Sequence, residues 1–174
     1  IGAATFGPAQ GGQVEITALE FILIDGANLP SQEPSNISTQ SGGPGNAGDL
    51  NIRTAQLTVQ NGGSIVVKSS GTGRAGNLNV TATNLLLDND GTLSAATTLG
   101  DGGNITLTAQ DIRLRRSSPI IATAGSSGNG SNITINTRIL IALENSDILA
   151  NAQFGTGGNI RITAPIFLAD IFAL

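Results

Sequence analysis

Along this chain, branched aliphatic residues recur in pairs two positions apart, each pair standing directly after a glycine-rich polar turn. The pairs are Val14/Ile16, Leu50/Ile52, Leu78/Val80, Ile105/Leu107, Ile133/Ile135 and Ile160/Ile162. Between their members lie Glu15, Asn51, Asn79, Thr106, Thr134 and Arg161. Apolar and polar side chains thus alternate to opposite faces, the period of a half-buried strand. A second apolar pair follows at Phe21/Leu23, Leu57/Val59, Leu85/Leu87, Ile112/Leu114, Ile139/Ile141 and Ile166/Leu168. A third comes at Ile65/Val67, Leu93/Ala95, Ile120/Ala122 and Ile148/Ala150.

The turns repeat as well. Gly45-Asn46-Ala47-Gly48-Asp49-Leu50 returns at Gly73, Gly100, Gly128 and Gly155, spaced by 27 or 28 residues, with a degenerate copy at Ala9-Gln10-Gly11-Gly12-Gln13-Val14. Self-similarity of this length belongs to stacked repeats, each burying its apolar face only against its neighbours. Three short strands per repeat form one triangular coil, and parallel stacking of such coils predicts an all-β parallel β-helix of about six coils of 27–28 residues. A propeller blade needs about 40 residues and a leucine-rich repeat carries a helical segment, so neither fits. The whole chain, 1–174, reads as one solenoid segment interrupted by residues 26–35, where the interval from Val14 to Leu50 is about eight residues too long. Such an insertion is thermodynamically cheap, and loops on a rigid rod are also where recognition residues sit.

Asp49, Asn77, Asn104, Asn132 and Asn159 hold one equivalent position and are expected to stack as a structural ladder, bonding turn backbone and one another. The glycines that open each turn are expected to supply positive φ at a corner. Neutral Asn stands where a calcium roll needs carboxylate, and the turn comes once per coil rather than every nine residues, so no metal is expected. Arginines gather at Arg113, Arg115 and Arg116. With Asp88 one coil before and Glu144 one coil after, cross-coil charge pairing is the first reading of this cluster, and a surface contact with an anion or polysaccharide is the second.

Composition narrows the function classes. Of 174 residues, 24 are Gly and 11% are charged, there is no Cys, Met, Trp, Tyr or His, and the net charge is −4. That balance gives no basis for nucleic-acid binding, and no run reaches the roughly 18 apolar residues of a membrane span. Absent cysteine suits an exported bacterial protein. Because Ile1 is not an initiator residue, the chain reads as a mature piece of something larger. Asp88 and Asp90 form the only tight acidic pair, in a polar turn with no residue to tune a pKa or stack a sugar, so no catalytic residue and no cofactor are assigned. A threonine row at Thr81, Thr108 and Thr163 is too interrupted for a flat ice-binding face.

The recurring Gly-x-Ala/Gly-Gly-Asn-Leu/Ile-x-Ile unit, with Ala142-Leu143-Glu144-Asn145-Ser146-Asp147-Ile148-Leu149-Ala150-Asn151-Ala152, resembles the large filamentous-haemagglutinin-like exoproteins of two-partner secretion, in their cyanobacterial form. The resemblance covers Gly11 to Ala164, the repetitive shaft, and implies a right-handed β-helix, an outer-membrane secretion partner and a secreted or cell-surface location. The family's amino-terminal secretion domain is not recognisable here. A non-enzymatic structural or adhesive shaft is the expected function, with cell-surface glycans and further coils or copies end to end as partners. A polysaccharide-active β-helix, a lyase or hydrolase, is the alternative.

Overall fold

A computed structural model describes residues 1–26, 34–125 and 128–170. Among them there is no helix, and hence none long and apolar enough to cross a membrane. The strands form three parallel sheets, each six strands deep, that wind as a β-solenoid with three strands per coil. In coil 1 the strands are Gly2–Thr5, Val14–Thr17 and Phe21–Asp25, and these begin sheets A, B and C. Coil 2 follows with Asn36–Ser41, Leu50–Arg53 and Gln56–Gln60, and coil 3 with Ser64–Ser69, Leu78–Thr81 and Asn84–Asp88. Thr92–Thr97, Ile105–Thr108 and Asp111–Leu114 make coil 4. Coil 5 has Ile120–Thr123, Ile133–Asn136 and Ile139–Ala142, and coil 6 has Ile148–Leu149, Ile160–Thr163 and Ile166–Ala169. At about 4.8 Å per coil the stack is roughly 30 Å long.

Each strand pairs with its equivalent one coil on, so identical positions stack into columns. Leu50, Leu78, Ile105 and Ile133 form one such column in sheet B and are fully buried. Buried aliphatics of the three sheets merge into a single core running along the solenoid. Each of these side chains contributes about 1.5–3 kcal/mol by leaving water, so the fold is held by repetition of one favourable contact. At the corner between sheets A and B the core admits hydroxyls. Thr39 Oγ1 donates to the Gly48 carbonyl at 2.6 Å, and Thr97 Oγ1 donates to that of Gly100. These bonds offset the burial of polar groups.

The alternation misleads in three strands of sheet C. Phe21 and Leu23 point outward at 65% and 52% exposure, while Ile22 and Ile24 face in and pair with Leu57 and Val59. Likewise Leu140 and Ala142 lie under Ile112 and Leu114, so Ile139 and Ile141 face out. In coil 6, Phe167 and Ala169 continue those columns and Ile166 and Leu168 face solvent. All three strands carry consecutive apolar residues, and a period of two cannot choose between phases when both are apolar. The column of the neighbouring coil decides instead.

Turn glycines have a different role from the one their sequence suggests. Among the described residues Gly62 is the glycine with positive φ, at 78°. Gly73, Gly100 and Gly128 are required by close approach: a Cβ on each would run into the carbonyl oxygen of Gly45, Gly73 and Gly100 respectively. Residues 27–33 of the expected insertion lie outside the described residues, as do the last four of the chain.

Candidate functional site

The most regular polar feature of the surface is the turn between sheets A and B. Asp49 Oδ1 accepts the backbone N–H of Asn77 at 2.7 Å and its side-chain amide at 3.2 Å. Asn77 Oδ1 accepts both donors of Asn104 at 3.3 and 3.2 Å. The backbone N–H of Asn132 donates to Asn104 Oδ1 at 3.0 Å, and that of Asn159 to Asn132 Oδ1 at 3.0 Å. All five residues are thereby joined in one ladder. Each side chain satisfies a backbone donor that the glycine turn leaves without a strand partner.

A parallel ladder runs three positions earlier in the same turn. Asn46 Oδ1 accepts from Arg74 N at 2.9 Å, Asp101 Oδ1 from Asn129 N at 2.9 Å, and Asn129 Oδ1 from Thr156 N at 3.3 Å. Arg74 Nε lies 3.4 Å from Asp101 Oδ2, bridging the step that lacks a side-chain acceptor. Sequence reasoning missed this ladder because its residue types vary, although the 27–28 spacing marks it.

The opposite corner, between sheets C and A, is built from paired left-handed residues. Asn61-Gly62, Asn89-Asp90, Arg116-Ser117 and Glu144-Asn145 all have positive φ, from 46° to 78°. Asn and Gly adopt this region at low cost, whereas Arg116, Ser117 and Glu144 carry strain there that the stack must hold. Hydrogen bonds between coils hold it: Asn89 Nδ2 donates to Asn61 Oδ1 at 2.8 Å, and Asn61 Nδ2 to Asp25 Oδ1 at 2.8 Å. The bond from Asn61, followed by one from Gln60, holds the Asp25 carboxyl below the usual aspartate range.

The arginine cluster lies on this corner. Arg115 makes a two-pronged pair with Glu144 one coil on, Nε to Oε2 at 3.1 Å and Nη2 to Oε1 at 2.6 Å. Glu144 Oε2 also accepts the backbone N–H of Arg116 at 3.2 Å. The Arg115 bond holds the Glu144 carboxyl below its ordinary value and pushes the guanidinium up. Arg116 pairs with Asp88 one coil back. Arg113 is separate: its partner is Asp111 on the same strand, at 3.4 Å, and its side chain is 56% exposed. The cluster therefore resolves into two cross-coil clamps and one outward cation. Asp88, one of the tight acidic pair with Asp90, is engaged by Arg116 through one carboxylate oxygen.

Among the described residues no group of three or more potential metal ligands comes together. In sheet B, Thr81 and Thr108 share a column with Arg53, Asn136 and Thr163, while Glu15 and Arg161 belong to the adjacent outward column. The chain matches no protein-family model, no curated protein and no solved structure.

Proposed function

We propose that this chain is a stiff shaft segment of a secreted surface exoprotein, holding an adhesive or structural element away from the cell without catalysing a reaction. The observation carrying this reading is the ladder from Asp49 to Asn159, in which each coil locks the backbone of the next. A spacer gains stiffness from every added rung of such a ladder. Two clamps across coils, Arg115–Glu144 and Arg116–Asp88, act in the same sense. The resemblance of the turn–strand unit supports export through an outer-membrane partner, and cell-surface glycans are the proposed contact of the adhesive element. The fold class itself hosts many functions, so the reading rests on the ladder and not on the β-helix.

Antibodies against residues 34–125 test this on intact cells of the source organism. Labelling without permeabilisation, with loss of cell attachment when the gene is deleted, is the expected result. Labelling that requires permeabilisation contradicts the reading.

A further inference from the structure

Amides that stack on this surface bond to one another at two places outside the turn ladders. Asn79 Nδ2 donates to Asn51 Oδ1 at 2.9 Å, and Asn89 Nδ2 to Asn61 Oδ1 at 2.8 Å, each across one coil. On the outer face of sheet C, Gln56, Asn84 and Asp111 stack in the same way through coils 2, 3 and 4. They make no such bond. Among the described residues the side-chain amides of Gln56 and Asn84 have no partner within the chain, and Asp111 Oδ1 is shielded from solvent without a partner. Two amides and a carboxylate oxygen are thus left with unused hydrogen-bonding capacity, side by side, in the middle of the stack.

These three residues line a groove of about 370 Å³, open on one side, together with Thr58, Leu86 and Arg113. That volume falls within the range of small-ligand sites. Gln56 and Asp111 are two coils apart, about 10 Å, so the groove runs along the shaft. Arg113 is the arginine of its cluster that neither cross-coil clamp uses. Its guanidinium stands 3.4 Å from Asp111 Oδ2 and is largely exposed, so the two charges offset each other while their outer donors and acceptors stay open to the groove.

We propose that this groove binds a neutral glycan, with the C–H face of a sugar ring on Leu86 and its hydroxyls on the amides of Gln56 and Asn84 and on the Asp111–Arg113 pair. A hydroxyl both donates and accepts, and an amide offers one of each within a single side chain, so the two amides suit a polyhydroxylated ring. A peptide strand has no backbone to pair with here, because strands Gln56–Gln60, Asn84–Asp88 and Asp111–Leu114 are each bonded on both sides. An acidic polymer meets a groove of balanced charge on a chain of net charge −4. The proposal rests on the surface-exoprotein reading for where such a glycan is met, and it gives the shaft itself a glycan contact.

Affinity electrophoresis of the purified chain tests it, in native gels containing hydroxyethylcellulose, galactomannan or dextran as neutral probes and alginate as an acidic one. Retardation by at least one neutral probe is the expected result. Gln56→Ala and Asn84→Ala should each weaken that binding about three- to tenfold, and Leu86→Lys, which fills the groove, should abolish it. Thr106→Ala, on the outer face of sheet B, should leave it unchanged. Circular dichroism verifies that the variants remain folded, and Gln56→Ala, an exposed change, carries the test if Leu86→Lys does not fold. No retardation by any neutral probe, retardation by alginate alone, or binding that is indifferent to the groove variants overturns the proposal. Such a failure is separate from that of the surface reading, which labelling of intact cells decides.

Discussion

Asp49 Oδ1 lies 2.7 Å from the backbone nitrogen of Asn77, a residue 28 positions later in the chain and its neighbour one coil along the stack. One side-chain oxygen thus ties two coils together at a turn where no strand hydrogen bond is available. The same bond recurs at Asn77, Asn104 and Asn132, and the stiffness assigned to the shaft comes from this repetition.

Asn104→Ala should therefore cost about 1 kcal/mol, because the N–H of Asn132 loses its acceptor. In a chain of this size that lowers Tm by about 2–4 °C. Asn104→Asp keeps the acceptor and should lose less than half as much. Thermal melts of the two variants, compared with the parent, check the order.

Leu107 is fully buried in the core, and Thr106 beside it faces outward. Leu107→Asp places an unpaired carboxylate among aliphatics and should cost several kcal/mol, enough to unfold the surrounding coils. Thr106→Asp should change stability by less than about 1 kcal/mol. Equal losses in urea titrations of the two variants would contradict the inward and outward assignment.

Two glycines with different constraints should respond differently to one substitution. Gly62 has a φ of 78° and open space where a Cβ would project, so Gly62→Asn should cost under about 1 kcal/mol. A Cβ at Gly103 collides with the Gly76 carbonyl, so Gly103→Asn should cost at least about 1–3 kcal/mol by pushing two coils apart. Chemical denaturation of the pair reads the difference directly.

Acid should weaken the Arg115–Glu144 clamp. The Glu144 carboxyl is depressed in the folded state by the hydrogen bond from Arg115, so its contribution is complete above the ordinary glutamate value of 4.5 and fades as pH falls through the folded value. Asp25 has the same sign, through the bonds from Asn61 and Gln60. The stability gap between the parent and Glu144→Gln should be widest above the ordinary glutamate value and narrow as pH falls below it. Melting temperatures of both proteins across this window test it, and a gap that widens with acid would contradict the assignment.

The parallel β-helix is legible in the sequence because the period repeats and because inward aliphatics such as Leu78 and Val80 alternate with polar neighbours such as Asn79. Phase was lost where both faces are apolar, as in Ile139-Leu140-Ile141-Ala142, since only the adjacent coil fixes which residue points in. The Asn104 ladder was visible because one residue type persists. Its companion through Asn46, Arg74, Asp101 and Asn129 was hidden because different side chains perform the same step. The paired left-handed corner escaped notice for a related reason: Arg116 and Glu144 are not residues that announce positive φ, and the stack imposes that conformation on them.

The central claim is that the chain is a stack of interchangeable, register-locked coils, and deletion of whole and partial coils tests it most directly. Removing residues 78–104 joins Asn77 to Ile105 and takes out one full period, so thermal unfolding should remain cooperative with a Tm within a few degrees of the parent. Removing residues 78–90 breaks the register and should abolish cooperative unfolding. If the full-period deletion fails to fold, or the partial deletion folds as well as the parent, the coils are not equivalent units and the shaft account is wrong.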